Sequence, residues 1–364
     1  MTTLDAEVVV LGLGVHGSAA AASLARRGVE VIGLDRFSPD HTRGSSHGRT
    51  RMIRRAYPNP VWNDFVARTF EGWDQLAQEV GETLIHQTGG LYAHRGEAQL
   101  QGPGCILVED PAQMRELMPG FAVPAGYRAV YDPSAGILEA ERSLGAFRDV
   151  AQSRGADLRW GVVVESWETR DGIAVIRTDG GELRARRLVI AAGSWMGTLV
   201  PELAPFLEVW RILTLTVSPG QPIGMPPSLG AFSVDRDEGL TFCLPDAAGN
   251  GVKMGVDAGA VWDPRLPVEP PTAAETAHLQ TLMSTFVPGI DVTPDELAGC
   301  LYTMTKDMRF VIGELRRAPE VIVAAACSGH GFKFAPAVGE ALADLAVGAV
   351  RDDLEFISTA RRGV

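Results

Sequence analysis

The sequence predicts an α/β fold in which a parallel-sheet domain is interrupted by an antiparallel-sheet one, and three observations predict it. Residues 6–35 read as strand, glycine turn, helix and strand. A pattern of the same kind resumes after a loop-rich middle, near Ala140. Between Trp210 and Met308 the signals change to period-two alternation and hairpin turns. At 364 residues, 46% hydrophobic and 21% charged, the chain can bury one large or two interleaved cores, which excludes a disordered chain or a small disulfide scaffold.

The opening unit, "AEVVVLGLGVHGSAAAASLARRGVEVIGLD", carries Gly12, Gly14 and Gly17 as G-x-G-x-x-G, with Asp35 ending the second strand. Gly12 permits the tight turn, and Gly14 lets a pyrophosphate approach the backbone and the helix N-terminus. Gly17, with Ala20 and Ala21, lets helix and sheet pack closely. Asp35 is placed to accept from ribose hydroxyls, and an acid there argues against a 2′-phosphate. The pattern points to a dinucleotide and leaves FAD and NAD both open.

Charge narrows the partners. With 33 basic and 45 acidic residues the net charge is −12, which disfavours nucleic acid and anionic membrane and favours small molecules. Within this acidic chain "HTRGSSHGRTRMIRRAY" gathers Arg43, Arg49, Arg51, Arg54 and Arg55 among Gly, Ser and His, a composition suited to lining a site for phosphate and carboxylate. Cys105, Cys243, Cys300 and Cys327 show neither a disulfide framework nor zinc spacing. That cysteine usage fits a reducing cytoplasm; no basic segment precedes the first apolar run, and no stretch nears the ~20 apolar residues of a membrane span.

Farther along, a helix is expected near Val61 to Val80, then "TGGLYAH", a second helix near Ala140 to Arg154, and a buried strand Leu188 to Ala192 ended by Gly193. After the Asn250-Gly251 turn, alternation puts Lys253, Gly255 and Asp257 on one face of a strand. At ~3.3 Å per residue Lys253 and Asp257 stand about 13 Å apart, at opposite ends of one pocket floor. "AGCLYTMT" places Cys300 and Tyr302 on one face of another strand. The last strand, "VIVAAAC", leads through a glycine turn into a helix near Pro336. The expected division is residues 1–84, 139–206 and 310–364 for the nucleotide domain, and 85–138 with 207–309 for a substrate domain.

These segments together resemble one family: the flavoprotein amine oxidases of the monomeric sarcosine oxidase and N-methyltryptophan oxidase group, in the D-amino acid oxidase superfamily. The resemblance rests on the glycine motif, "HGRTRMIRRAY", "AAGSW", "KMG", "GCLYTMT" and "SGHGFKF", in the family's order over essentially the whole chain. It implies a Rossmann-type, glutathione reductase-like FAD-binding domain with an inserted antiparallel-sheet substrate domain. The implied FAD site comprises Gly12, Gly14, Val15, His16, Gly17, Asp35, Arg36, Ser45, His47, Arg51, Val164, Gly193, Trp195, Cys300, Gly329, Gly331, Phe332 and Lys333. Cys300 matches the cysteine that attaches covalently to the flavin, while the other three cysteines match no such position and read as small buried hydrophobes.

By the same resemblance Arg54 and Lys333 match the pair that holds a substrate carboxylate. Arg51 and Lys253 match cations beside the flavin ring, Tyr302 matches a pocket tyrosine, and His47 and His330 read as satisfied hydrogen-bonding histidines. Three lysines stand against thirty arginines, and two of the three fall on motif positions; Lys306 reads as structural. The implied reaction oxidises the C–N bond of a secondary or N-methyl amino acid to an imine, with O2 reduced to hydrogen peroxide, in a monomer. A cyclic imino-acid oxidase, a flavin dehydrogenase and a noncatalytic flavin-binding protein remain alternatives. The sarcosine-type members have histidine where this chain has Asp257, and "TGGLYAH" is more polar than the segment covering their substrate. Both departures point to a bulkier, cyclic or cationic amino acid, with a carboxylate at Asp257 that repels a second acid and holds a protonated amine or shifts its pKa.

Overall fold

The computed structural model describes residues 3–96, 100–325 and 327–364. Its first sheet has eight strands, and Ala6–Leu11 lies near the middle, flanked in parallel by Val31–Asp35 and by Gly181–Ile190. Ala318–Ala325 continues the parallel run beyond Gly181–Ile190, and Asp157–Trp160 extends it beyond Val31–Asp35. Runs such as "VVVL" and "VIGLD" are buried on both faces, as a parallel sheet covered on two sides requires. The strand expected over Leu188–Ala192 ends at Ile190, and Gly193 opens a short 3₁₀ turn at φ 52°.

Four helices, Val15–Arg26, Asn63–Val80, Ala140–Ser153 and Ala335–Ala346, bury one shared core against this sheet. The first and last of them touch through small residues. A Cβ on Gly339 would lie 2.6 Å from the Ala19 carbonyl carbon, so the backbones meet with no side chain between them. A proline contact follows the same logic, with Gly72 accommodating Pro336.

The second sheet has nine strands and is antiparallel apart from Ala231–Arg236 beside Gly90–His94. Its register aligns rows of side chains across the strands. Tyr92, Ser233, Phe242, Gly255, Thr214 and Ala298 form one row, and Leu244, Lys253, Thr216 and Glu296 form the next on the same face. The helix Ala273–Phe286 covers the other face of this sheet. A three-stranded sheet, Thr50–Ile53, Gly136–Glu139 and Ile85–Gln87, lies between the two larger sheets in the chain's course. Among the described residues no helix is long and apolar enough to cross a membrane.

The crossing at Gly339 makes a prediction. Gly339→Val forces apart two buried backbones and is expected to lower stability by about 1–3 kcal/mol, read as a lower urea midpoint. Gly145→Ala, in a helix where an added Cβ meets nothing within 4 Å, should leave the midpoint unchanged or raise it.

Candidate active site

A cavity of about 600 Å³ opens between the two large sheets. Every residue of the implied cofactor and substrate sites lines it except Gly17, which stands behind the wall, where its missing Cβ makes room for the Gly12 carbonyl; of the arginine-rich run Arg49, Arg51 and Arg54 line it, and Arg43 and Arg55 do not.

At one end lies the glycine turn. Gly12 has φ 92°, and a Cβ there would sit 2.6 Å from the Ala191 carbonyl oxygen, so only glycine lets the first strand turn against the neighbouring one. Asp35 does more than face a ligand. Its carboxylate accepts the backbone N–H of Leu13 at 2.8 Å and of Phe37 at 2.9 Å, which ties the turn to the end of the second strand. Ser46 accepts the Val15 N–H at 3.0 Å at the start of the first helix. Arg148, from the helix Ala140–Ser153, donates to Leu13 O at 2.8 Å and lines the same end.

Midway, Arg51 donates to the carbonyls of Thr50, Ser45 and His47, at 2.8, 2.8 and 2.6 Å, and so closes the arginine-rich loop around its own guanidinium. Ser45 Oγ donates to Leu301 O, fastening that loop to the strand that carries Cys300. Lys253 donates to Thr50 O, and burial, then Arg51, pull its pKa down to about 7. Cys300 stands beside both cations; burial pushes its thiol pKa up, against the pull of Arg51 and Lys253.

At the far end two cations share one aromatic ring. The Arg54 guanidinium carbon lies 5.3 Å and Lys333 Nζ 5.8 Å from the Tyr57 ring centroid, and Arg54 is also 5.1 Å from the ring of Tyr92. Buried Asp132 accepts the N–H groups of Arg55 and Ala56 and so fixes the chain immediately after Arg54. Lys333 is 7% exposed, and its carbonyl accepts the Trp73 indole N–H at 2.6 Å. Burial and Arg54 hold its ammonium well below the usual lysine range, while Asp257 opposes them. Arg54 keeps two buried nitrogens, Nε and Nη1, without a hydrogen-bond partner among the described residues. A partner with two acceptors is what such a fork lacks.

The turn before the last helix delivers Lys333. Ser328 adopts φ 43°, held by its N–H to Thr303 O at 2.9 Å, and Gly329 follows at φ 75°. This left-handed pair is strain concentrated beside the cavity. His330 is satisfied as expected, with Nε2 at 2.9 Å from Met308 O and its ring stacked on Phe310. Lys306 is exposed, in keeping with a structural role.

Three expectations are corrected. His47 is not a satisfied histidine: its Nε2 is buried with no partner among the described residues, and burial together with Arg51 lowers its pKa to about 4. Cys327, set aside as a small buried hydrophobe, lines the cavity wall, because the glycine at 331 leaves the space its Cβ fills. "TGGLYAH" does not cover the cavity: Gly90–His94 is a buried interior strand, and its tyrosine at 92 backs Arg54 instead. Tyr57 and Arg148 escaped sequence reasoning. Tyr57 stands three residues after Arg54 in "RRAY", the one available signal, whereas nothing near Arg148 sets it apart.

A family model described as DAO, FAD dependent oxidoreductase, matches residues 7–345. The chain belongs to this family. Monomeric sarcosine oxidase from Bacillus sp. (strain NS-129) is 31% identical over 98% of this chain and 96% of that protein. N-methyl-L-tryptophan oxidase from Yersinia pestis (strain Pestoides F) is 29% identical over 93% and 94%. In fold, the chain superposes on L-proline dehydrogenase from P. horikoshii with a TM-score of 0.83 at 21% identity, covering 99% and 98% of the two chains.

The residues fit the family's FAD. A glycine cradle at 12 and 14 that a Cβ would fill meets a cavity long enough to reach both sheets, with unpartnered His47 Nε2 partway along it. Gly14→Val, which leaves the Gly12 turn in place, is therefore expected to yield folded protein carrying little flavin, read as a fall in the ratio of 450 to 280 nm absorbance on purification. Full flavin content would count against the cradle.

Proposed function

We propose that this FAD dependent oxidoreductase oxidises the C–N bond of a secondary or N-methyl amino acid to an imine, using O2 and forming hydrogen peroxide. One observation carries the reading: an Arg54 fork with two nitrogens unpartnered among the described residues shares the Tyr57 ring with Lys333, in the same cavity as the dinucleotide turn. Two relatives whose names state oxidation of sarcosine and N-methyl-L-tryptophan support it.

FAD, when bound, supplies a two-electron acceptor that O2 can reoxidise. In this proposal residues 1–84, 139–206 and 310–364 hold it. Gly12, Gly14, Val15, His16, Asp35 and Arg36 take its dinucleotide end. Ser45, His47, Arg51, Val164, Gly193, Trp195, Gly329, Gly331 and Phe332 surround the remainder, with attachment through Cys300. Arg54 grips the substrate carboxylate as a planar fork and Lys333 as a point charge, which fixes where the adjacent C–H points. Lys253, drawn down to about 7, holds a proton that it can release near neutral pH beside the site of oxygen reduction. Tyr302 and the strand beneath it close that wall. The assembly we propose is a monomer, and the compartment is the reducing cytoplasm, in keeping with four cysteines of which none is paired in a disulfide.

A cyclic imino acid is a second reading, favoured by the apolar wall of Leu240, Phe242 and Leu244. The Phe242 ring lies over Gly255 and presents a flat apolar face to the cavity.

A peroxide assay over N-methyl and cyclic amino acids, each paired with its decarboxylated amine, tests the reading. Peroxide is expected in proportion to amino acid consumed, with the amines at least ten-fold slower because they leave Arg54 and Lys333 empty. Equal rates for both sets would remove the clamp, and no peroxide from any of them would remove the oxidase. For attachment, acid precipitation should leave the yellow colour in the pellet of the wild type and release it from Cys300→Ala.

A further inference from the structure

Five acids line the cavity: Asp35, Asp40, Glu141, Asp257 and Glu296. Asp35 and Asp40 belong to the dinucleotide end. Glu141 accepts the Gly48 N–H at 3.0 Å, and Glu296 pairs with Arg49 at 3.0 Å. Asp257 differs from them, because its Oδ1 is buried and has no hydrogen-bond partner among the described residues.

Its position is built rather than incidental. The Asp257 N–H donates to Leu240 O at 2.8 Å, which fixes the backbone at the end of the strand Val252–Val256. The carboxylate occupies space that Gly329 leaves open: a Cβ on that glycine would lie 2.7 Å from Asp257 Oδ1 and 2.8 Å from Tyr302 Cε2. The charged and titratable groups that act on it or are acted on by it are Lys333 from the glycine turn, Arg54 after the strand Thr50–Ile53, and Cys300 and Tyr302 from the strand Pro294–Met304, while His330 and Cys327 line the same cavity. His330 is neutral, its pKa lowered to about 3 by burial and by Lys333. A carboxylate with an unused acceptor therefore stands beside the two cations that bind a substrate carboxylate.

This arrangement sets where the substrate nitrogen goes. Once the carboxylate is on Arg54 and Lys333, the nitrogen is one carbon removed from it, within the same cluster. An ammonium has no lone pair and cannot become the nitrogen of a C=N bond, so its proton must leave before oxidation. Resting on the amine-oxidase reading above, we propose that Asp257 accepts that proton from the bound ammonium. The step converts ammonium and carboxylate to neutral amine and carboxylic acid, with no change in electron count. The proton returns to solvent when the product leaves.

Electrostatics agree with this geometry. Arg54 and Lys333 disfavour a third positive charge on the neighbouring nitrogen, which weakens the ammonium's hold on its proton. Burial pushes Asp257 up to about 6, with Lys333 and Arg54 acting against the rise. A group of that basicity is an anion at neutral pH and still a competent acceptor. The role differs from an anchor for a cationic side chain, because an anchor would keep the ammonium charged.

The test reads flavin bleaching without oxygen, which separates amine oxidation from the oxygen step. With an N-methyl or cyclic amino acid that bleaches the wild type, the rate constant should fall as pH drops below about 6. Asp257→Asn, which keeps the shape beside Gly329, should lose roughly 10²–10⁴-fold at pH 7. It should then recover as pH rises toward the free amine's own pKa. A variant with the wild-type profile, or one equally slow at every pH, would overturn the assignment. Should the variant lose its flavin, the wild type still decides by spectral titration with cyclopentanecarboxylate, which has no amine. Its dissociation constant must drop as pH falls through about 6, where Asp257 ceases to repel it, and a flat profile overturns the proposal. Wild-type protein bleached by no amino acid would instead sink the amine-oxidase reading on which the proposal rests.

Discussion

Two like charges buried on one tyrosine ring are the constraint around which this molecule is arranged. Removing an ammonium and a guanidinium from water is costly, and placing them together adds repulsion in a medium that screens poorly. The structure offsets part of that cost with the negative faces of Tyr57 and Tyr92 and with one facing carboxylate, Asp257. It leaves part of it unmet, since two Arg54 nitrogens have no partner among the described residues. In the proposed clamp a bound anion would relieve a charge repulsion that the fold already carries.

Holding such a pair needs rigid surroundings on every side, and each large unit contributes one. The helix Asn63–Val80 supplies Trp73, which pins the Lys333 carbonyl, and Gly72, which lets Pro336 seat closely. The loop at Asp132 anchors the backbone after Arg54. Across the cavity the antiparallel sheet presents rows of side chains at fixed spacing, so Lys253 and Asp257 face the same cavity along one strand. Omitted Cβ atoms matter as much as side chains: Gly255 makes room for Phe242, and Gly329 makes room for Asp257.

Much of this was legible in one dimension. Period-two alternation is a property of neighbouring residues, so the shared face of Lys253 and Asp257, and of Cys300 and Tyr302, could be read directly. The glycine motif was readable because its mechanics are local: Gly12, Gly14 and the first helix follow one another in the chain. Lysine use in an arginine-rich chain marked Lys253 and Lys333 without any fold at all. His47 was misjudged because a partner for its Nε2 could come from any segment, and among the described residues none does. Gly90–His94 was misplaced because a polar-looking strand buried between neighbours differs from a cavity cover only in what pairs with it, here Ala231–Arg236 and Arg128–Asp132.

The sequence by itself determined the elements, their glycine turns, the dinucleotide unit and the faces on which the chemical side chains stand, since each depends on residues a few positions apart. Only the tertiary structure decided that Arg54 and Lys333 meet at Tyr57, and that Asp257, in the same cavity beside Gly329, keeps an oxygen without a partner among the described residues. Such meetings depend on register between strands distant in the chain and on which backbones can touch. Partnership and burial are properties of the assembled site, and no single stretch of chain carries them.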